Sequence, residues 1–407
     1  MEKEKYSKIM NSIYLSSNNI ISSLGFNTKE NIEKIKMGIS GIKLYNTFKH
    51  LNEYTAKVEN KILNKKFSKI GANNNYTKLE KMMILSLNDT ISKSPFPITK
   101  HTALIISTTK GNIDLLDLKN SKLDPERVYL TKLGEVIKKF FKFYNDPIII
   151  CNACVSGVLG ITVAKKLIKN KNYKNAFVVA GDIVSNFTLS GFKSLQAISE
   201  KPCSPYSKDR NGISLGEAAA SVAISSISNS KNIAEVIGEG ESNDANHISG
   251  PSRNGEGLFK SINKAIKIAS LTGNEIGYIC AHGTATIYND EMEAQAFNRL
   301  NMQHIPLNSL KGYFGHTLGA AGLLETIIAS KSMNNNYLYK SYGFNKIGLT
   351  LPLNIIKKNQ KKDFSIFLKT ASGFGGSNVA ILIKKYNNLK KNKIYFITVK
   401  FKITLYY

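Results

Sequence analysis

Apolar positions along the chain fall into two kinds of run. Short unbroken stretches such as Ile148–Ile150 and "KNAFVVAGDIVS" read as buried strands, and longer stretches rich in small residues read as helices. Twice a strand, a turn and a helix follow one another: in "IIICNACVSGVLGITVAKKLI" and in "IPLNSLKGYFGHTLGAAGLLETIIA". "GEAAASVAISSI" adds a strand of small residues to the first half. In the second half, "FSIFLKTASGFGGSNVAILIKK" gives strand, glycine-rich turn and strand. The opening "IYLSSNNIISSLG" is echoed by "AEVIGEGESND", an apolar start followed by a small-residue loop. Strands alternating with helices predict an α/β fold with a mixed, mostly parallel sheet and helices on its faces. The echo predicts two duplicated halves, residues 9–230 and 231–385, meeting near 228–234. Residues 386–407 are basic and alternating, and read as an appendage of unknown role.

Composition narrows the class. A chain of 407 residues with 42% apolar content can bury one large core or two ordinary ones. No apolar run reaches the ~18 residues of a membrane span, and the N-terminus lacks the apolar core of a secretory signal. Four cysteines in this length do not make a disulfide framework, which fits the cytoplasm. The formal charge of +27 is carried mainly by lysines spread along the whole chain. No aromatic-interleaved basic motif of a nucleic-acid module is present, and an acidic protein partner suits such a field equally well.

Chemistry is concentrated around a thiol. Cys151 and Cys154 form C-x-x-C, yet Cys203 and Cys280 stand alone, so a four-ligand structural zinc site lacks its second pair. A redox dithiol at a strand–helix junction is possible locally, but the chain is far longer than such a domain. Cys151, belonging to the strand, reads as a buried small hydrophobe. Cys154 falls in the first turn of the helix, where free N–H groups and the dipole favour a thiolate. Small neighbours (Ala153, Ser156, Gly157, Gly160) leave room for a substrate, as at a nucleophile elbow. Of six histidines, two have distinctive settings. His282 ends the apolar strand "YICAHGTAT", and His316 sits in the turn "LKGYFGHTLGAAG". His50, His101, His247 and His304 read as structural or surface residues.

Taken in order, "CNACVSG", "YSKDRNGISLGEAA", "AHGTATIYNDEMEAQA", "LKGYFGHTLGAAG" and "GFGGSN" resemble the signature segments of the β-ketoacyl-[acyl carrier protein] synthases. These are the Cys-His-His condensing enzymes of the thiolase-like superfamily. The resemblance runs from about residue 12 to residue 385. It implies a thiolase-like fold of αβαβα layers and a decarboxylative condensation of an acyl thioester with malonyl-acyl carrier protein. Cys154 would carry the acyl group, and His282 and His316 would hold the enolate. The N–H groups of Cys154 and Phe374 would hold a second oxyanion, with Phe374 gating the acyl pocket. Lys311 would stand near His316 with Glu325 as its ion-pair partner. Thr284 and Thr286 would bind the phosphopantetheine arm, while Asp290 and Glu293 would support the network. No metal and no tightly bound cofactor is implied, since phosphopantetheine is supplied by the acyl carrier protein. A homodimer, or a heterodimer with a related subunit, is the expected assembly.

Rival readings are a silent condensing-fold partner of a heterodimer, in which the nucleophilic cysteine is lacking, and a thiolase. A thiolase needs a further catalytic cysteine near the C-terminus, and none follows Cys280. Three departures from the family pattern leave chain length, acyl type and dimer details open. Ser372 stands where many relatives have an aromatic, Lys110 lies near an apolar pocket-floor position, and the segment from there to Cys154 is short.

Overall fold

The computed structural model describes residues 12–46, 52–70, 75–117 and 123–386. His50 and nearly all of the basic tail lie outside these. Ten strands among them form one continuous sheet: β1 (Tyr14–Ser22), β2 (Thr102–Ser107), β3 (Ile148–Ile150), β4 (Asn175–Asp182), β5 (Ala218–Ser225), β6 (Ala234–Asn243), β7 (Tyr278–Cys280), β8 (Leu307–Asn308), β9 (Ile366–Gly373) and β10 (Ser377–Lys385). Their order is β8-β7-β9-β10-β6-β1-β5-β4-β2-β3. The first five strands and the last five repeat one topology, so β1 corresponds to β6 and β5 to β10. The echo between the opening segment and "AEVIGEGESND" is therefore structural.

Within each half the sheet is mixed, as expected, but evenly so. β2 runs parallel to β3 and β4, while β5 runs antiparallel to β4 and β1. β7 runs parallel to β8 and β9, while β10 runs antiparallel to β9 and β6. The halves meet edge to edge where Tyr14 and Leu15 pair with Glu235 and Ala234.

Helices cover the sheet in layers. α1 (Lys78–Ser92) and α2 (Leu130–Phe141) pack on the outside of the first half, and α5 (Glu256–Ala269), with α6 (Ile287–Arg299) against it, on the outside of the second. Between the halves lie α3 (Ser156–Lys169) and α7 (Ala321–Asn334), each touching strands of both. The largest apolar cluster fills this middle layer. Central strands β4 and β5 are buried at every position, because helices cover both faces, and this explains their unbroken apolar runs. β6 alternates instead, and its glycines let α5 lie on the strand: a Cβ on Gly240 would stand 1.9 Å from the Ser261 carbonyl oxygen. No helix among the described residues is long and apolar enough to cross a membrane.

Candidate active site

β3 stops at Ile150, and the chain turns through Cys151–Ala153 before α3 begins. Ala153 has φ 41°, in the left-handed region that costs any residue with a Cβ. The Ser156 hydroxyl pins this turn by donating to the Ala153 carbonyl (2.7 Å) and accepting from the Asn152 N–H (2.8 Å). Cys154 thereby stands just before the helix N-terminus and is 7% exposed. The end of β9 backs onto it: a Cβ on Gly373 would lie 3.1 Å from the Cys154 nitrogen. The Phe374 N–H follows directly. Cys151 is exposed rather than buried, because the strand ends before it, and its thiol donates to the Thr109 carbonyl (3.4 Å).

His316 is held by backbone. Its N–H donates to the Ser214 carbonyl (2.6 Å), and its own carbonyl accepts from the Gly216 N–H (3.0 Å). The Leu318 N–H donates to His316 Nδ1 (3.2 Å), which places the ring proton on Nε2. That atom faces Cys154 Sγ at 3.1 Å. Behind the turn, the buried carboxylate of Asp182 accepts from Gly319 N–H (2.7 Å), Thr109 N–H (2.9 Å) and the Thr108 hydroxyl (2.8 Å). Burial raises its pKa above the usual carboxylate range.

Carboxylates and lysines hold His282. Asp290 and Glu293, three residues apart on α6, share one helix face. Glu293 accepts from the N–H groups of His282 (2.8 Å) and Gly283 (2.6 Å) and from the Tyr206 hydroxyl (2.9 Å). Asp290 accepts from the N–H groups of Thr284 (3.0 Å) and Tyr206 (2.7 Å), and burial with Glu293 beside it pushes its pKa up to about 7. Lys311 donates to the His282 carbonyl (2.5 Å) and to Glu325 (2.8 Å), and lies 3.4 Å from His282 Nδ1. The ion pair with Glu325 is the one expected from sequence, while the hydrogen-bond contacts of Lys311 are with His282 and its charge also reaches His316, near which it was expected. The ammonium at Nδ1 again leaves the ring proton on Nε2.

The two imidazoles meet edge to face, with centroids 5.3 Å apart. Burial, with Lys311 close by, holds both well below the ordinary histidine value, so they are neutral near pH 7. Burial also pushes the Cys154 thiol up to about 12. The helix end is where the sequence placed it, but desolvation outweighs it, and the resting group is a thiol. Ligand-type atoms of Cys154, His282 and His316 lie within 4.8 Å of one another, a spacing a metal ion could use. Here, however, His316 meets the thiol through Nε2, the protonated ring nitrogen, as a hydrogen-bond donor.

These three residues line a cavity of about 410 Å³ together with Thr284, Thr286 and Phe374. The two threonine hydroxyls are 2.9 Å apart. Phe374 rests against Phe192 of α4 (Asn186–Ser194), with ring centroids 5.5 Å apart. His247 is exposed at the same cavity, so it is not an unrelated surface histidine. Sequence reasoning also missed Asp182 and Lys369. Both carried a faint signal, being charged residues within or ending runs that otherwise read as fully buried strands.

The family profile described as "Beta-ketoacyl synthase, C-terminal domain" matches residues 233–345. Over 282 residues the chain is 32% identical to "3-oxoacyl-[acyl-carrier-protein] synthase 2" of Rhizobium meliloti, covering 64% of this chain and 66% of that one. It is 30% identical over 254 residues to the protein of the same name from Coxiella burnetii, spanning 61% of its length. The chain therefore spans slightly less than two thirds of the curated relatives it matches. In structure it is similar to a ketosynthase in complex with its chain length factor from Xenorhabdus doucetiae. That likeness has a TM-score of 0.83 and 23% identity and covers 92% of this chain and 98% of the other. Ordered motifs, the duplicated sheet, the Cys–His–His pocket and these likenesses converge on the β-ketoacyl synthases: the chain shares their fold, and residues 233–345 match the profile of their C-terminal domain.

Proposed function

We propose that this protein catalyses the decarboxylative Claisen condensation of an acyl thioester with malonyl-acyl carrier protein, in fatty-acid or polyketide-type biosynthesis. The observation that carries the reading is the thiol of Cys154 3.1 Å from His316 Nε2, with His282 beside it, in one cavity.

In the first step Cys154 Sγ attacks the acyl-carrier thioester, and the carrier's phosphopantetheine thiol leaves with the proton that Cys154 gives up. The His316 N–H and the start of α3 stabilise the thiolate as it forms. In the second step the malonyl carboxylate leaves as carbon dioxide, and its electron pair becomes an enolate. The thioester oxygen of that enolate accepts hydrogen bonds from the Nε2–H groups of His282 and His316. The enolate carbon attacks the acyl carbonyl, whose oxyanion accepts from the N–H groups of Cys154 and Phe374. Collapse breaks the C–S bond, and Cys154 regains a proton from solvent. Thr284 and Thr286 offer hydroxyls to the phosphopantetheine arm, and Phe374 covers the acyl side. Lys311 with Glu325, and the Asp290–Glu293 pair, position the histidines and move no proton.

A dimer, with itself or with a related subunit, is the proposed assembly, and the reducing cytoplasm suits four free thiols. The Xenorhabdus structure includes a chain length factor, which keeps a silent partner role in view. The intact Cys–His–His set favours the enzyme. The deciding experiment is intact-mass measurement after exposure to a ladder of acyl-carrier thioesters. Wild type should gain one acyl mass and Cys154→Ala none. Loading that survives in Cys154→Ala would reject the assignment.

A further inference from the structure

Two charged side chains of the site, Asp182 and Lys369, have no part in the steps above. Lys369 lies in the middle of β9 with no solvent exposure, in a strand whose neighbours are apolar. Its ammonium donates to Glu325 Oε2 (2.5 Å) and to the carbonyls of Cys280 and Ala281 (3.3 Å each), the two residues that lead into His282. Lys311 takes the other oxygen of the same carboxylate. Two lysines thus share one glutamate in a buried space. Glu325 alone cannot neutralise them, and one positive charge is left over beneath the imidazole pair.

Resting on the condensing reading, we propose that Lys369 is a positioning residue. It fixes the second oxygen of Glu325 and the strand end before His282, so that Lys311 stays on His282 Nδ1 and the surplus charge lies under both rings. Burying an ammonium is unfavourable without such partners. Burial alone would lower the Lys369 pKa, but Glu325 outweighs it and the pKa ends above its ordinary value. A cation below a neutral imidazole opposes its protonation, and Lys369 acts in that sense on both histidines. Protonation would turn Nδ1 into a donor facing the Lys311 ammonium or the Leu318 N–H, breaking the orientation that points Nε2–H at the substrate. The titratable groups facing the pair are Lys311, Lys369 and Glu325 below, Asp290 and Glu293 behind the His282 turn, Asp182 behind the His316 turn, and Cys154 in front.

The test has a spectroscopic arm and a kinetic arm. In ¹⁵N-histidine-labelled wild type, the His282 and His316 rings should stay neutral, with the proton on Nε2, well below pH 6.5. Ordinary titration of either ring overturns the proposal, whatever reaction the protein catalyses. In Lys369→Met, the ring titration and the acid limb of malonyl-carrier decarboxylation should both move upward, by roughly one pH unit. Adding Glu325→Gln restores the original net charge, so the double variant should return toward the wild-type profile. A folded Lys369→Met with an unmoved acid limb, or a double variant that moves further from wild type, sinks the idea. Should Lys369→Met not fold, Lys369→Gln, which keeps a donor without the charge, carries the same test, and an unmoved ring titration there sinks the idea. A ring titration that moves as expected in Lys369→Met, alongside absent condensation in wild type, would count against the function without touching the role of Lys369.

Discussion

Cys154 and His316 occupy corresponding places in the two halves. Each lies between the third strand of its half and the central helix, the first between β3 and α3 and the second between β8 and α7. The two turns are held by different means. The cysteine turn is five residues long, between Ile150 and Ser156, and relies on backbone: a left-handed Ala153, one bridging serine and the close approach of Gly373. The histidine side is longer and relies on buried charge, with Asp182 behind His316 and the Lys311–Glu325–Lys369 cluster beneath His282. A nucleophile needs an exposed bond direction and a helix end. An imidazole donor needs in addition a fixed tautomer, and only a hydrogen-bond partner at Nδ1 can set that.

The comparison can be broken most severely at the rings. His282→Ala and His316→Ala should each lower malonyl decarboxylation about 10²- to 10³-fold, the typical loss for one oxyanion donor, read as carbon dioxide release. Equal release in both variants and wild type would leave the rings a structural role only. Prying the two turns apart is the next largest effect. A Cβ on Gly157 would lie 2.7 Å from the Gly319 carbonyl oxygen and the Leu323 nitrogen, so Gly157→Ala should destabilise the fold by about 1–3 kcal/mol and depress condensation with it. Thermal melting with a parallel rate measurement checks this, and an unchanged Tm would mean that the helix ends have room.

Ionisation of the thiol sharpens the contrast. With its pKa pushed up to about 12, the Cys154 thiolate fraction rises tenfold per pH unit through neutrality. Its alkylation by iodoacetamide should therefore keep climbing past pH 9, and a plateau near pH 7 would show that the helix end wins over burial. Decarboxylation should instead stay flat from pH 8 down past 6.5, because its donors are already neutral. The smallest effect is expected at the threonines. Thr284→Val removes one hydroxyl, worth ~1 kcal/mol, and should raise KM for the carrier substrate about fivefold with little change in kcat.

Much of this was legible in the chain. Cys154, His282 and His316 stood out because each follows an apolar strand and opens onto small residues, and the strand–turn–helix order located them correctly. Cys151 was misplaced because an apolar run does not reveal where strand pairing stops. The Lys311–Glu325 pair was expected, but its contact with His282 was not, because the two are 29 residues apart in the chain and only the fold joins them. Lys369 went unremarked because a lysine in a buried-strand run is only a faint signal until its partner is found, and Glu325 comes from another element.

By itself the sequence determined the elements, their duplication and the three candidate side chains that meet in the cavity, since these depend on periodicity and on local small-residue turns. Tertiary structure alone decided the protonation of those side chains. Desolvation, the ammonium at His282 Nδ1 and the N–H at His316 Nδ1 arise from groups far apart in the chain, and an interior of low polarizability makes such contacts decisive for where a proton sits.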